Sequence, residues 1–155
     1  MDLTEYNMED MLLSALKSEV EAKKAYLIMA SRVKNAFLKD KLEFLATQEE
    51  KHRETLESVF RETLGGKEIV LPKETPVPLP SIVLPDEKSP LSIVLESAMK
   101  AEKAAYEFYS SLSDRFEDPN MKATVTYLAS METGHYKLLE IEKEIAERFE
   151  EYDEY

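Results

Sequence analysis

The second half of this chain repeats the first half at an offset of 83 residues. Between Leu12 and Glu57, 15 of 46 positions carry the same residue as the position 83 further along. Average residue frequencies would give roughly three such identities by chance. A chain made of two copies of one unit must bury a similar apolar face in each copy. The repeat therefore restricts the fold to one in which two equivalent halves pack on each other.

Each copy has the sequence pattern of a helical hairpin. Apart from residues 65–89, the chain is poor in Gly and Pro and has apolar residues at spacings of three and four, which is typical of amphipathic helices. The first helix is expected to end near Val33 and the second at the Gly65–Gly66 pair. Each helix is expected to start at an N-cap side chain, followed in two cases by Pro at the first helical position. These signals are Asn7, Asn35, Ser89–Pro90 and Asp118–Pro119.

The segment 65–89 separates the two copies and contains five prolines. It also contains the unit Ile-Val-Leu-Pro twice, at 69–72 and 82–85, whose apolar residues are expected to hold the segment against the helices. Twenty-five extended residues reach about 75 Å, whereas adjacent antiparallel helices need loops of about 2 to 8 residues. The segment therefore predicts a crossover along the whole bundle, or a connection that carries the second hairpin onto a partner chain in a swapped dimer.

The predicted fold is all-α: a four-helix bundle made of two repeated hairpins joined by a long Pro-rich crossover. With 155 residues, of which 43 % are hydrophobic, the chain is expected to form a single domain over 1–155. Its parts are hairpin 1 at about 7–64, the linker 65–89 and hairpin 2 at about 90–152.

Composition excludes several classes of function. The net charge of −12 disfavours nucleic acid or an anionic membrane surface as a partner. The chain has no cysteine, so it contains no disulfide, thiolate zinc site or iron–sulfur cluster. The N-terminal residues lack the pattern of a signal peptide and no apolar run is long enough to span a membrane. We therefore expect a cytoplasmic protein.

Four glutamates interrupt the apolar core face at mid-length, one on each predicted helix. Written as an alternating four-three ladder, each helix is apolar or small except at Glu19, Glu49, Glu102 and Glu132. In an antiparallel hairpin, residues equidistant from the turn lie at one height, so all four are expected to share one layer. The only two histidines of the chain, His52 and His135, follow Glu49 and Glu132 by three residues and lie on the same helix faces.

Four buried carboxylates without counter-ions would cost several kcal/mol each, which exceeds what a domain with a net stability of about 5 to 15 kcal/mol tolerates. No Lys or Arg occupies these ladders near the layer. Two divalent cations would balance the charge, with the imidazoles as neutral ligands. Bridging glutamates with one histidine per metal form the ligand set of a dinuclear carboxylate site, and this set permits iron, manganese or zinc.

The two Glu-x-x-His motifs, each with a single glutamate on the partner helix, resemble the ferritin-like diiron-carboxylate proteins, most closely their rubrerythrin-like branch. The resemblance implies two iron ions in the site. It also implies that Glu49 and Glu132 are bridging carboxylates that take part in catalysis. The remaining implied ligands are terminal: the lone carboxylates Glu19 and Glu102, and the imidazoles His52 and His135.

Two tyrosines, Tyr26 and Tyr109, each follow a lone glutamate by seven residues. They match tyrosines that the family often places near the site, and they are candidate catalytic residues; the alternative is that they are core aromatics with a satisfied hydroxyl. Rubrerythrins proper also carry a cysteine-rich rubredoxin domain that passes electrons to the irons. Because this chain has no cysteine, the resemblance implies a separate electron-donor protein. A further family glutamate, three residues after the second lone ligand, is replaced by Ala105.

The function expected from these residues is the reduction of hydrogen peroxide or dioxygen at a dinuclear centre, in a homodimer that is either plain or domain-swapped. One alternative is a metal-handling protein that oxidises iron without a dedicated small-molecule substrate. Another is a non-catalytic helical module whose polar layer fixes the register of the helices.

Overall fold

The computed structural model describes residues 1–84, 86 and 88–149, so the predicted end of hairpin 2 at about 152 lies outside it. It contains four long helices, and the described residues form no strand. The prediction of an all-α, ferritin-like four-helix bundle is confirmed. The helices are α1 (Met8–Arg32), α2 (Ala36–Leu64), α3 (Leu91–Ser113) and α4 (Pro119–Arg148).

Three of the four predicted helix starts have the expected cap. The side chains of Asn7, Asn35 and Asp118 accept hydrogen bonds from backbone N–H groups in the first turns of α1, α2 and α4. These bonds satisfy donors that have no partner inside the helix. Gly65 ends α2 with φ of +65°, a backbone conformation that glycine adopts without a steric penalty.

The predicted start of α3 is wrong by one residue. Pro90 is the N-cap and not the first helical residue, because its backbone is extended, with ψ of 138°. Its carbonyl oxygen accepts a hydrogen bond from Ile93 N at 3.0 Å. Ser89 therefore lies one residue too early to cap the helix, and its hydroxyl lies 3.4 Å from Asp86 Oδ1 instead.

The apolar core forms two clusters, one at each end of the bundle. One cluster contains the N-terminal halves of α1 and α4 and the C-terminal halves of α2 and α3; its members include Met11, Val125, Phe60 and Phe108. The opposite halves of the same helices form the second cluster. Consequently α1 and α4 run in one direction and α2 and α3 in the other. The linker must therefore travel from one end of the bundle to the other.

The linker packs on the bundle at both of its Ile-Val-Leu-Pro units through Ile69, Ile82 and Leu84, whereas Val70 and Val83 of these units are exposed. Its apolar side chains extend from Ile69 at one core cluster to Leu84 at the other. Two serines related by the repeat hold it: Ser14 Oγ accepts from Val77 N at 3.1 Å, and Ser97 Oγ accepts from Val83 N at 2.8 Å. The sequence repeat thus supplies two equivalent anchors for a segment that is itself not repeated. None of the helices is long and apolar enough to cross a membrane, judged over the described residues.

A fifth carboxylate, Glu142 on α4, is buried with 1 % of its side chain exposed. Sequence reasoning predicted four buried carboxylates and missed Glu142, which is the fifth. Glu142 forms an ion pair with Lys41 of α2, whose side chain is 43 % exposed. The other oxygen of Glu142, Oε2, is buried without a hydrogen-bond partner. Its counterpart in the first copy is the buried apolar residue Val59.

We expect Lys41→Met to lower the free energy of unfolding by up to about 3 kcal/mol, because it leaves the Glu142 carboxylate buried without a counter-ion. The double variant Lys41→Met/Glu142→Val, which installs the first copy's apolar residue, should recover most of that loss. Urea unfolding of protein samples with matched metal content measures both values. Equal stabilities of Lys41→Met and the unchanged chain would contradict the prediction.

Candidate metal centre

The polar layer lies between the two apolar clusters, at the middle of the bundle. All six residues predicted to bind metal are buried there, with 1 to 3 % of each residue exposed. Each helix contributes at least one of them: Glu19 from α1, Glu49 and His52 from α2, Glu102 from α3, Glu132 and His135 from α4.

The six side chains form two overlapping groups of potential ligands. Within each group the donor atoms lie within 4.8 Å of one another. Both groups contain Glu49 and Glu132, whereas each of the other four residues belongs to one group. Two ions held by these groups would share the carboxylates of Glu49 and Glu132, which is the role that the resemblance implies for them. The groups are Glu19, Glu49, His52 and Glu132, and Glu49, Glu102, Glu132 and His135.

The two hairpins contact each other through His52 and His135. His52 Nδ1 lies 2.7 Å from Glu132 Oε1, and His135 Nδ1 lies 3.0 Å from Glu49 Oε1. Each imidazole therefore lies beside the shared carboxylate of the opposite hairpin. The imidazole rings stack with centroids 5.3 Å apart and an interplanar angle of 14°. Neither hairpin alone would complete either group.

Most of the oxygen and nitrogen atoms that could bind a metal lie close to one another but make no hydrogen bond. Buried polar groups in proteins are normally satisfied, and an unsatisfied one calls for a ligand or an ion. Carboxylate oxygens and imidazole nitrogens suit iron, manganese and zinc. The residues therefore fit a pair of divalent ions. The unpartnered atoms are one oxygen of each glutamate, namely Glu19 Oε2, Glu49 Oε1, Glu102 Oε2 and Glu132 Oε1, and both ring nitrogens of His52 and His135.

The two tyrosines predicted near the site hold the lone glutamates across the hairpin boundary. The Tyr26 hydroxyl donates to Glu102 Oε1, and the Tyr109 hydroxyl donates to Glu19 Oε1. Burial, and next the adjacent glutamate carboxylate, raises the pKa of each tyrosine well above its usual value. Both hydroxyls therefore remain protonated donors at neutral pH. Each fixes one oxygen of a lone glutamate and leaves the other free to bind a metal.

Charges in the metal-free centre are shared unequally among its carboxylates. Burial, followed by a neighbouring carboxylate, raises the pKa of Glu19 and of Glu132 well above the usual value. Burial acts in the same direction on Glu49, but the polar groups of Glu19 and His135 beside its carboxylate outweigh burial and hold its pKa below the usual value. Without metal, the centre thus keeps protons on some carboxyls while Glu49 stays ionised.

The histidines of the metal-free centre are also protonated at neutral pH. Burial lowers the pKa of both, but adjacent carboxylates outweigh it: Glu19 and Glu49 raise the pKa of His52 to about 9, and Glu102 and Glu49 raise that of His135 to about 10. A metal binds only the neutral imidazole, so metal binding must release these protons.

We expect the metal-free protein to lose stability as the pH rises from about 6.5 to about 10. A histidine with a raised folded pKa contributes stability that is full below its unfolded pKa of 6.5 and is lost as the pH passes the folded values of about 9 and 10. The raised pKa values of Glu19 and Glu132 act in the same direction. Calorimetry of the chelated protein across this range measures the effect. His52→Asn/His135→Asn is the control and should show a flatter profile; a melting temperature that rises with pH would contradict the expectation.

A cavity of about 360 Å³ reaches the centre from the side of α1 and α3. Its inner end is lined by carboxylates of the centre, including Glu19 and Glu102. The small side chains of Ala22 and Ala105, which are repeat counterparts, form its walls, and linker residues 73–75 and 78–82 cover it. Sequence reasoning missed this role of the linker, and no motif in 65–89 indicates it.

An antiparallel bundle with two Glu-x-x-His motifs and two further glutamates around one buried centre defines the class of dinuclear carboxylate four-helix proteins. A family model described as rubrerythrin matches residues 10–151. The chain therefore belongs to the rubrerythrin family, which is a family of ferritin-like diiron-carboxylate proteins.

One solved structure extends the comparison to the whole fold. The chain resembles a hypothetical protein from Pyrococcus furiosus at 33 % sequence identity and a TM-score of 0.86. The match covers 95 % of this chain and 94 % of the other. A search of curated proteins gave no match. The likeness is therefore one of nearly complete chains and includes both hairpins.

Proposed function

We propose that this protein reduces hydrogen peroxide or dioxygen at the buried centre, with two iron ions as cofactor and electrons from a separate protein. The observation that carries the proposal is the pair of overlapping ligand groups that share Glu49 and Glu132. The cavity that ends on Glu19 and Glu102 supports it, because it gives a small oxidant a way to the metal positions.

The protein's own residues set the conditions for this chemistry. When bound, a pair of iron ions supplies two electrons at adjacent positions and Lewis acidity. Glu49 and Glu132 hold the two positions together, and Tyr26 and Tyr109 keep the lone glutamates directed at them. Apolar side chains of the two core clusters exclude water from the bundle on either side of the polar layer.

The overall reaction determines what must be supplied from outside the centre. Hydrogen peroxide takes up two electrons and two protons, its O–O bond breaks, and two molecules of water form. The protons come from solvent in the cavity. The 155 residues contain no cysteine and so hold no iron–sulfur centre, and in this proposal the two electrons come from a separate donor protein.

We also propose a homodimer of complete bundles. Phe37 and Phe44 lie one above the other on α2 with 74 % and 50 % of their surfaces exposed, and burial of such an apolar stripe favours self-association. In the proposed dimer each chain keeps both of its hairpins, with the linker packed along its own bundle. Sedimentation of the unchanged chain and of Phe37→Lys/Phe44→Lys tests the dimer, and a monomeric unchanged chain would overturn it.

The proposed activity predicts that the iron-loaded, anaerobically reduced protein consumes hydrogen peroxide at least about 100-fold faster than the variant Glu49→Ala/Glu132→Ala. The reason is that loss of the two shared ligands removes the metal centre. Stopped-flow measurement of peroxide consumption gives both rates. Glu62→Gln, an exposed charge change on the same helix, is the control and should match the unchanged chain.

Equal rates for the double alanine variant and the unchanged chain would overturn the proposed activity. The metal-handling alternative would be supported if the protein takes up and oxidises ferrous iron but neither consumes peroxide faster nor turns over dioxygen when a reduced donor is supplied. Measurement of iron content and particle size in the same samples separates these outcomes, because storage of iron requires a closed multi-chain shell.

A further inference from the structure

The two hairpins differ on their outer faces, although their inner faces carry the same ligands. On the first hairpin, Glu50 of α2 forms ion pairs with Lys23 of α1 at 3.1 Å and with Arg53 of α2 at 2.6 Å. Arg53 also pairs with Glu57, one turn further along α2. This network bridges α1 and α2 on the outer side of the first hairpin, next in sequence to the ligand residues Glu49 and His52.

The repeat places uncharged residues at the corresponding positions of the second hairpin. The counterparts of Lys23, Glu50 and Arg53 are Tyr106, Thr133 and Tyr136, which form no such network. A groove of about 390 Å³ opens there between α3 and α4. Its lining includes Glu102 and Glu132, two carboxylates of the centre. The second ligand group is thus reached from the side of α3 and α4, at positions where the first hairpin carries the ion-pair network.

Two lysines give the groove a positive rim. Lys103 and Lys137 line it, where the first copy has Val20 and Glu54. Lys137 Nζ lies 3.4 Å from an oxygen of the half-buried Glu140 and 6.0 Å from the centroid of the Tyr136 ring. Lys103 has no acidic partner among the residues that the structure describes. In a chain with a net charge of −12, such a rim attracts anions and disfavours the entry of free metal cations.

The groove's size and its aromatic walls define the class of ligand further. Small-molecule sites have volumes of about 300 to 1,000 Å³ with aromatic side chains and a few convergent polar groups. Here Tyr106 and Tyr136 supply aromatic faces, the Thr133 hydroxyl is a polar group within the groove, and the lysines supply positive charge at the rim. A flat ring that carries one negative charge fits this combination better than an inorganic anion, which would use the charge alone.

We propose that the groove between α3 and α4 is a second opening onto the centre and binds a small aromatic anion, such as a phenol carboxylate. It is separate from the cavity beneath the linker, which takes the small oxidant in the proposed function. The bound anion and the small oxidant would then approach the centre from different sides. The proposal concerns binding and does not depend on peroxide reduction.

The probe is 4-hydroxybenzoate, titrated into the zinc-loaded full-length protein, which has no redox activity that could complicate the readout. We expect binding with a Kd of about 1 mM or below, with NMR shift changes concentrated at the ring signals of Tyr106 and Tyr136. Cyclohexanecarboxylate, which keeps the charge and lacks the aromatic ring, should bind at least about fivefold more weakly.

The internal repeat supplies the matched variants. Tyr106→Lys/Thr133→Glu/Tyr136→Arg copies the first hairpin's network into the groove and should weaken probe binding at least tenfold while the zinc content stays unchanged. Lys103→Val/Lys137→Glu places the first copy's residues at the rim and leaves Tyr106, Thr133 and Tyr136 unchanged. It should weaken probe binding severalfold.

Failure of 4-hydroxybenzoate to bind at millimolar concentration, or equal affinities in the unchanged chain and both variants, would overturn the proposal. Equal affinity for cyclohexanecarboxylate would overturn the aromatic part of it. If the triple variant does not fold, the lysine variant and the NMR shifts decide the result. Because zinc protein is used throughout, failure here leaves the peroxide measurement unaffected, and the reverse also holds.

Discussion

Loading the protein with two divalent ions is expected to raise its melting temperature by about 15 °C or more. Each ion that binds only the folded state stabilises it by about 4 kcal/mol when free metal is at 1,000 times its Kd. In a domain of this size, 1 kcal/mol shifts the melting temperature by about 2 to 4 °C. Calorimetry of zinc-loaded and chelated protein measures the shift, which follows from the unpartnered carboxylate and imidazole atoms of the centre.

The control for this stabilisation is Glu49→Ala/Glu132→Ala, which lacks both shared carboxylates and should show almost no shift on addition of zinc. If the melting temperature of the unchanged chain is the same with and without metal, the prediction of a dinuclear metal site is wrong. The polar layer would then be a device that fixes helix register in a non-catalytic module.

Loss of a shared ligand is expected to remove both metals, whereas loss of a lone ligand removes one. Glu132 belongs to both ligand groups, and Glu19 belongs to the group that contains His52. Glu132→Ala should therefore reduce bound metal from about two ions per chain to nearly none, and Glu19→Ala should leave about one. The physical reason is that a bridging carboxylate neutralises and ligates two ions at once.

Elemental analysis after dialysis against a weak chelator measures these stoichiometries. Glu142→Val is the matched control, because Glu142 is as deeply buried as Glu132 but lies outside both ligand groups; it should retain about two ions. Equal metal content in Glu19→Ala and Glu132→Ala would contradict the distinction between lone and shared ligands.

The inner part of this centre could be predicted from sequence because it repeats. The spacing of Glu132 and His135 on one helix face, duplicated at Glu49 and His52, requires only helical periodicity and the symmetry of a hairpin. Helical periodicity and hairpin symmetry depend only on residues that are close together in the sequence. The predicted start of α3 failed because the backbone of Pro90 is extended, which the Ser-Pro pair alone does not determine.

Other features depend on contacts between segments that are distant in sequence. The hydrogen bond from Tyr26 to Glu102 joins residues 76 positions apart, and the roof of the cavity comes from the linker, which has no repeat. Glu142 was missed although a signal existed: the four-three ladder of α4, continued past Leu139, reaches it directly. Sequence reasoning stopped the ladder where the apolar residues seemed to end, one step before the fifth buried acid.

Each hairpin carries half of the centre: one lone glutamate, one shared glutamate, one histidine and one tyrosine. Because Tyr26 and Tyr109 each bond the opposite half, a chain with a single hairpin would have to meet a second copy to assemble the set, and assembly would depend on protein concentration. Covalent linkage replaces that encounter with an intramolecular one at high effective concentration. It also frees the copies from strict symmetry, so that mutations can change the outer face of one hairpin while that of the other keeps its residues.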